Sequence, residues 1–277
     1  MINKSFIFLA GHHRSGTSLL HEIIREHPLI SGFSNTGVPE DEGQHLQKVF
    51  KPAKAFGGPG KYIFNQNSRM TEDHSLATDR SSEKIMVQWE KHYDASCEHY
   101  IEKSPPNLIR TRFLQKLFPN SKFIVILRHP LAVSFATQKW SKTSIKSLID
   151  HTLLGYEIFM NDMDYLNNVY VLRYEDFVAS AQDEINKVYD FLNLEPLHIQ
   201  HSVKSDVNEK YFSMWEANRK NLLKRVLFPV GNDLENRANK FGYSIHDYRN
   251  IHSSLLLGAH NKALHSDGNS AKLHCRR

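Results

Sequence analysis

The sequence predicts a single α/β domain, a parallel sheet of four or five strands between layers of helices, and three features point to it. Largely apolar runs of strand length occur at residues 5–10, 122–127 and 169–172. Each leads into a stretch whose apolar residues return every three or four positions, as in a helix packed on a sheet. The length, 277 residues with 40% hydrophobic content, suits one substantial core better than two. Alternation of this kind builds parallel sheets with helical crossovers.

The first unit organises the rest. Residues 5–10, with two aromatics and a β-branched residue, form a buried strand bounded by Gly11. From Thr17 the period changes: Leu19, Leu20, Ile23 and Ile24 share one helical face, and Pro28 ends the helix near His27. Between them runs Gly11-His12-His13-Arg14-Ser15-Gly16-Thr17-Ser18. The two glycines let the backbone curl with N–H groups turned inward, and the helix start adds its positive dipole end. Such a turn binds anions, phosphate above all. Against the nucleotide-binding P-loop, G-x-x-x-x-G-K-[ST], the glycines and Ser18 fit. Thr17 stands where the lysine belongs, and Arg14 is the loop's cation. The architecture is therefore P-loop-like and three-layered. P-loop NTPases also carry a strand ending in Asp that helps hold magnesium. Here residues 122–127 end in Arg128-His129-Pro130, a cation where the carboxylate would be. That suits direct grip on phosphate by side chains, with no metal expected.

Along the chain, residues 29–33 are extended and 34–37 a loop. Pro39 with Glu40, Asp41 and Glu42 behind it predicts a helix to residue 50. Residues 51–72, rich in Gly and Pro, form the longest loop, a lid or a substrate wall. A helix over 72–96 follows, then a short strand from His99 interrupted by Pro105 and Pro106. Helices are expected at 108–118, 130–140, 144–167, 180–193, 207–226 and 233–240. The domain is expected to span residues 1–257, with 258–277 a flexible tail rich in His, Asn and Ser.

Composition narrows the function classes. A net charge of +5 and a pI near 9.0 fit cations gathered in one cleft. No basic block with interleaved aromatics, zinc spacing or RNA-binding signature occurs, so no nucleic-acid partner is expected. Cys97 and Cys275 make no disulfide framework. No apolar run approaches the roughly 18 residues of a membrane span, and the first apolar run leads straight into the anion turn rather than to a cleavage site. The chain reads as soluble and cytoplasmic; a Golgi-type anchor trimmed from it would leave no trace. The sequence does not fix an oligomeric state.

The motif G-x-x-R-S-G-T-S-L-L, followed later by an apolar strand ending in R-H-P and then A-V-S-F-A-T-Q-K-W, resembles the sulfotransferases that use 3′-phosphoadenosine-5′-phosphosulfate (PAPS). It is similar to the tyrosylprotein-type branch and its bacterial and plant-like relatives more than to the cytosolic steroid and phenol enzymes, over about residues 5–245. The resemblance implies sulfuryl transfer from PAPS to a hydroxyl or amine of a small-molecule, saccharide or peptide acceptor. It places the 5′-phosphosulfate on Arg14, Ser15, Gly16, Thr17 and Ser18, and the 3′-phosphate on Arg128 with a serine of the next helix. The family's serine position, eight residues on, is Ala136 here, leaving Ser134 first and Thr137 second. Lys103, in a segment like the relatives' E-K-[ST], is a further phosphate or sulfate contact. The acceptor needs a general base, which the resemblance implies near residues 40–45: Glu42 first, then Glu40, then His45. Acids in a first helical turn also stabilise the dipole and need do nothing else. Trp140, Arg173, Tyr174, Lys204, Tyr211 and Tyr243 are candidates to frame adenine or close the site, with core packing favoured for the aromatics. Two other readings stand: a kinase or NTPase on a degenerate P-loop, and a nucleotide-binding protein without catalysis.

Overall fold

The computed structural model describes residues 4–220, 231–254 and 256–261. Five parallel strands and one antiparallel edge strand make a sheet in the order β2-β3-β1-β4-β5-β6. The strands are β1 (Ser5–Ala10), β2 (Ile30–Gly32), β3 (His99–Lys103), β4 (Lys122–Leu127), β5 (Asn168–Arg173) and β6 (Gly258–Asn261). β1 lies in the middle, and the chain fills one side with β2 and β3 before crossing to β4 and β5. The order therefore reverses at β1, and the carboxyl end of that strand opens onto the crevice where open α/β sheets bind ligands.

Side chains alternate across each strand, so the sheet has two cores. Phe6, Phe8, Phe123, Val125, Val169 and Val171 face one way. That face is covered by α2 (Asp79–Trp89), α3 (Thr111–Leu117), α4 (Pro130–Ser141), α5 (Ile145–Met163), α8 (Glu209–Lys220) and α9 (Asn232–Asn239). Ile7, Leu9, Ile124, Ile126 and Leu172 face the other way, under α1 (Thr17–Ile24), α6 (Tyr174–Ala179) and α7 (Ala181–Leu192).

Several expectations change. No helix forms over residues 39–50; two separate 3-10 turns, Pro39–Asp41 and Gly43–His45, stand there. Asp41 is drawn back to cap its own loop, accepting from the Thr36 amide (2.7 Å), the Thr36 hydroxyl (2.5 Å) and the Asn35 amide (3.1 Å). The Gly43 amide goes to buried Glu102 (3.0 Å) instead of to a helical carbonyl. The Gln44 amide likewise goes to the Ser104 hydroxyl (3.1 Å), and with these two amides diverted the helical ladder cannot run on. The helix expected over 72–96 is confined to α2, capped by Thr78, whose hydroxyl accepts from the Ser81 amide (3.3 Å). Loop 51–72 is a packed wall of short turns, pinned by buried Arg110, which donates to the carbonyls of Ser68 (2.9 Å) and Lys51 (3.2 Å). Residues 258–261 are no tail: as β6 they pair antiparallel with β5, so the sheet runs past the expected boundary at 257. The stretch 262–277, and residues 221–226 of the expected 207–226 helix, lie outside the described residues.

Phe8 is fully buried, its ring 5.6 Å from both Phe118 and Phe123. Phe8→Ala should lower the unfolding free energy by about 3–5 kcal/mol in a denaturant titration; a loss below about 1 kcal/mol would mean that the aromatic layer is not the core.

Candidate active site

The turn after β1 closes as tightly as its glycines require. A Cβ on Gly11 would lie 2.6 Å from the Ser15 hydroxyl and 2.8 Å from the Ile126 carbonyl. Gly16 has φ of +104° and abuts the Tyr174 ring, which an added Cβ would meet at 2.7 Å. Arg14 is itself left-handed, at φ 68°. α1 starts at Thr17 with no side-chain cap and no acid in its first turn. Its first amides therefore face outward without an intrahelical partner. They open on a cleft of about 190 Å³ lined by Arg14, Gly16, Thr17, Ser18, Glu40, Glu42, Arg128, Trp140 and Tyr174, with His13 and Leu19 completing the wall.

Most of the sequence-selected residues meet there. Arg128, at the end of β4, is 5% exposed, and its guanidinium stacks 3.9 Å from the Tyr174 ring centre. It donates through Nη1 to the Arg14 carbonyl (2.7 Å) and through Nε and Nη2 to Asn208 Oδ1 (3.0 and 2.7 Å). The exposed Arg14 guanidinium lies 5.0 Å over the half-exposed Trp140 ring at the rim. Ser15 is the exception in the loop: its side chain is buried beside Gly11 with no hydrogen-bond partner, so only its backbone remains for a ligand.

Behind Glu40 and Glu42 of the lining, Lys103 is buried at the end of β3. Its ammonium donates to the Glu40 carbonyl (2.7 Å), reaches the Ser18 hydroxyl (3.5 Å), and lies 3.7 Å from Glu42 Oε1. Glu42 is 5% exposed. Burial pushes its carboxyl up to about 7, against the pull of Lys103 and of the hydrogen bond from the Gln44 amide, with neighbouring Glu102 and Glu40 adding to the rise. His45 Nε2 stands 3.8 Å away, its imidazole pushed below its ordinary value by burial and by Lys54 and Lys103. Glu40 is exposed on the rim at φ 54°, where its carboxylate accepts from Ser18 (3.3 Å). Glu102 points away from the cleft and accepts from Gly43, Ser104 (2.5 Å) and Asn107 (2.6 Å), which fixes the turn that presents Glu42.

Ser134 and Thr137 do not join Arg128. One turn apart on α4, both are buried and line a separate small cavity with His12, His13, His151 and Thr152, between α4 and α5. The helical phase, set by the buried stretch 130–137 of α4, turns them from the cleft. Arg173 binds Asp176 (2.9 Å) and the His252 carbonyl (2.7 Å), and Tyr243 donates to Glu175 (3.0 Å); both are structural. Lys204 is exposed and outside the cleft lining, and Tyr211 lies 5.7 Å from the Arg128 guanidinium. Sequence reading passed over Gln44, Glu175 and Asn208. Glu175 had a signal, standing beside Tyr174 at the end of a strand; Asn208 had none.

The fold and cleft are those of an α/β protein with a site suited to anions. A family profile described as the sulfotransferase family matches residues 6–198. The chain belongs to that family and is a sulfotransferase, an enzyme of sulfuryl transfer. Its fold is similar to that of the sulfotransferase domain of the Synechococcus PCC 7002 olefin synthase (TM-score 0.55, 16% identity, covering 88% of this chain and 97% of that one). It is likewise similar to the sulfotransferase domain from the curacin biosynthetic pathway (TM-score 0.52, 17% identity, 87% and 98%). Among curated protein sequences none matches the chain. No helix among the described residues is long and apolar enough to cross a membrane, and no group of three or more His, Cys, Asp or Glu there is arranged to hold a metal.

Gly16→Ala would place a Cβ against Tyr174 in a backbone conformation that alanine avoids. The expected loss is about 1–3 kcal/mol of stability, read as a lower Tm, together with weaker anion binding. An unchanged Tm would show that the turn has room to relax.

Proposed function

We propose that the enzyme moves the sulfuryl group of PAPS to an acceptor hydroxyl or amine, with Glu42 as the general base. One observation carries the reading: the buried Glu42 carboxyl shares a cleft with an uncapped helix start and the buried Arg128, with Lys103 3.7 Å from it, and burial raises its proton affinity to about 7. A base of that strength is half-ionised at neutral pH and can take up the proton an acceptor must lose.

The chain's residues fit the donor. The amides of Gly16, Thr17 and Ser18, with Arg14, are the groups for the 5′-phosphosulfate. Arg128 is the group for the 3′-phosphate, standing where a nucleotide hydrolase would hold a magnesium carboxylate. Bound PAPS supplies an activated sulfuryl group whose bridging S–O bond breaks to release adenosine 3′,5′-bisphosphate. Glu42 takes the acceptor proton as the new O–S or N–S bond forms. Lys103, Ser18 and the helix amides lie where they meet the charge left on the departing phosphate. Lys103 also keeps Glu42 from being neutralised altogether by burial, since its ammonium lowers the carboxyl's proton affinity. Acceptors of small-molecule, saccharide or peptide type all remain compatible with a cleft whose rim is Arg14, Glu40 and Trp140. The family assignment disfavours the kinase and NTPase readings, and Glu42 in place disfavours a binding protein without catalysis.

Because the Glu42 carboxyl is raised, its base form is lost as pH falls through about 7. The kcat/KM for sulfuryl transfer should therefore fall with unit slope on the acid side of that pH. Glu42→Gln should reduce kcat by about 10²–10⁴-fold, followed by labelled-sulfate transfer, while circular dichroism stays native. Full activity in Glu42→Gln, or a flat profile between pH 5 and 8, would pass the role to another group. Arg14→Ala should likewise slow transfer strongly in a folded chain. Calorimetry should show adenosine 3′,5′-bisphosphate preferred over ATP with magnesium; the opposite preference would overturn the donor assignment.

A further inference from the structure

Arg128 is aimed by a residue eighty positions away. A guanidinium carries five N–H donors. Nε and one donor of Nη2 go to Asn208 Oδ1 (3.0 and 2.7 Å), and one of Nη1 goes to the Arg14 carbonyl (2.7 Å). One N–H on each terminal nitrogen remains, so two donors are left for a phosphate. The Tyr174 ring covers one face at 3.9 Å, so the fork can point in few directions.

Asn208 is fixed on its other side. Its amide nitrogen donates to Glu175 Oε1 (2.7 Å), and Glu175 is held by the His129 amide (3.0 Å) and the Tyr243 hydroxyl (3.0 Å). The Asn208 carbonyl also accepts from the amides of Tyr211 (2.9 Å) and Phe212 (3.0 Å), which ties its backbone to the start of α8. Asparagine is the side chain of this length that accepts from a cation while donating to an anion. The reversed amide would set NH₂ against the guanidinium and C=O against the carboxylate, so its orientation is dictated. Aspartate would oppose Glu175 and neutralise Arg128; leucine would make neither bond.

We propose that Asn208 is the positioning residue for the donor's 3′-phosphate, holding the Arg128 fork toward the cleft by bridging it to Glu175. The inference rests on the donor reading above, because it assumes that Arg128 meets the 3′-phosphate. The consequence is selective: Asn208 governs how much affinity the 3′-phosphate adds and leaves the 5′-phosphate on the α1 turn untouched.

The test is calorimetric titration of the full chain with adenosine 3′,5′-bisphosphate and with adenosine 5′-monophosphate, which lacks the 3′-phosphate. The unaltered protein should prefer the bisphosphate, and Arg128→Ala should erase that preference. Asn208→Leu should weaken the bisphosphate by about tenfold to a hundredfold while changing the monophosphate less than about twofold. In the Arg128→Ala background it should have no further effect. Asn208→Asp, matched in size, should show the same selective loss and carries the test should the leucine variant fold poorly. Equal losses for both nucleotides would make Asn208 a packing residue and overturn the proposal, as would an unaltered bisphosphate affinity. If Arg128→Ala erases the preference but neither Asn208 variant does, only this inference falls. If the unaltered protein shows no preference, or Arg128→Ala keeps it, the donor reading falls and this inference with it.

Discussion

A helix that begins without a cap presents its first amides to any anion that fits, and the site is arranged around that condition at Thr17 and Ser18. The turn before α1 can supply it only because Gly11 and Gly16 let the backbone pass against Ile126 and Tyr174. Backbone N–H groups fixed by a sheet and a helix cost no reorganisation when charge develops opposite them. β1 is the central strand, so the turn is held by parallel neighbours on both sides. Its rigidity is inherited from the sheet.

Around that turn the charges are graded by burial. Arg14 is at the surface, whereas Arg128 and Lys103 are buried and spend part of their hydrogen-bonding on the chain itself. Buried cations fixed this way keep their direction but leave fewer donors for a ligand. Glu42 is the counterweight. Burial raises its proton affinity and Lys103 moderates the rise, which brings a carboxyl into the range where it can accept and release a proton at neutral pH. Glu102 adds to that rise as a neighbouring charge but is not itself part of the cleft lining. It uses its carboxylate to organise Gly43, Ser104 and Asn107, so two neighbouring acids have separate duties: one shapes the wall and the other faces the cleft.

What the sequence disclosed divides by range. β1, the anion turn, α1 and β4 with Arg128 were legible because strand, glycine spacing and helix signals lie within a few residues of one another. Glu42 was reached through the family resemblance, although the helix expected around it does not form, because the Gly43 and Gln44 amides go to Glu102 and Ser104. It reaches the cleft because the 3-10 turns carry it there. Ser134 was displaced by helical phase, which depends on how α4 packs against α5 and is not encoded within α4. β6 escaped notice because a four-residue edge strand without apolar alternation looks like a tail. Asn208 had no local signature; its meaning lies in Arg128 and Glu175, each remote in sequence.

The central claim is that the uncapped α1 turn and the Arg128 fork hold the two phosphates of one nucleotide, leaving Glu42 over the site of transfer. A crystal structure with adenosine 3′,5′-bisphosphate tests it most directly. The 5′-phosphate should lie within hydrogen-bond distance of the amides of Gly16, Thr17 and Ser18, and the 3′-phosphate on the terminal nitrogens of Arg128. A nucleotide bound with those ends exchanged, or seated away from the turn, would contradict it.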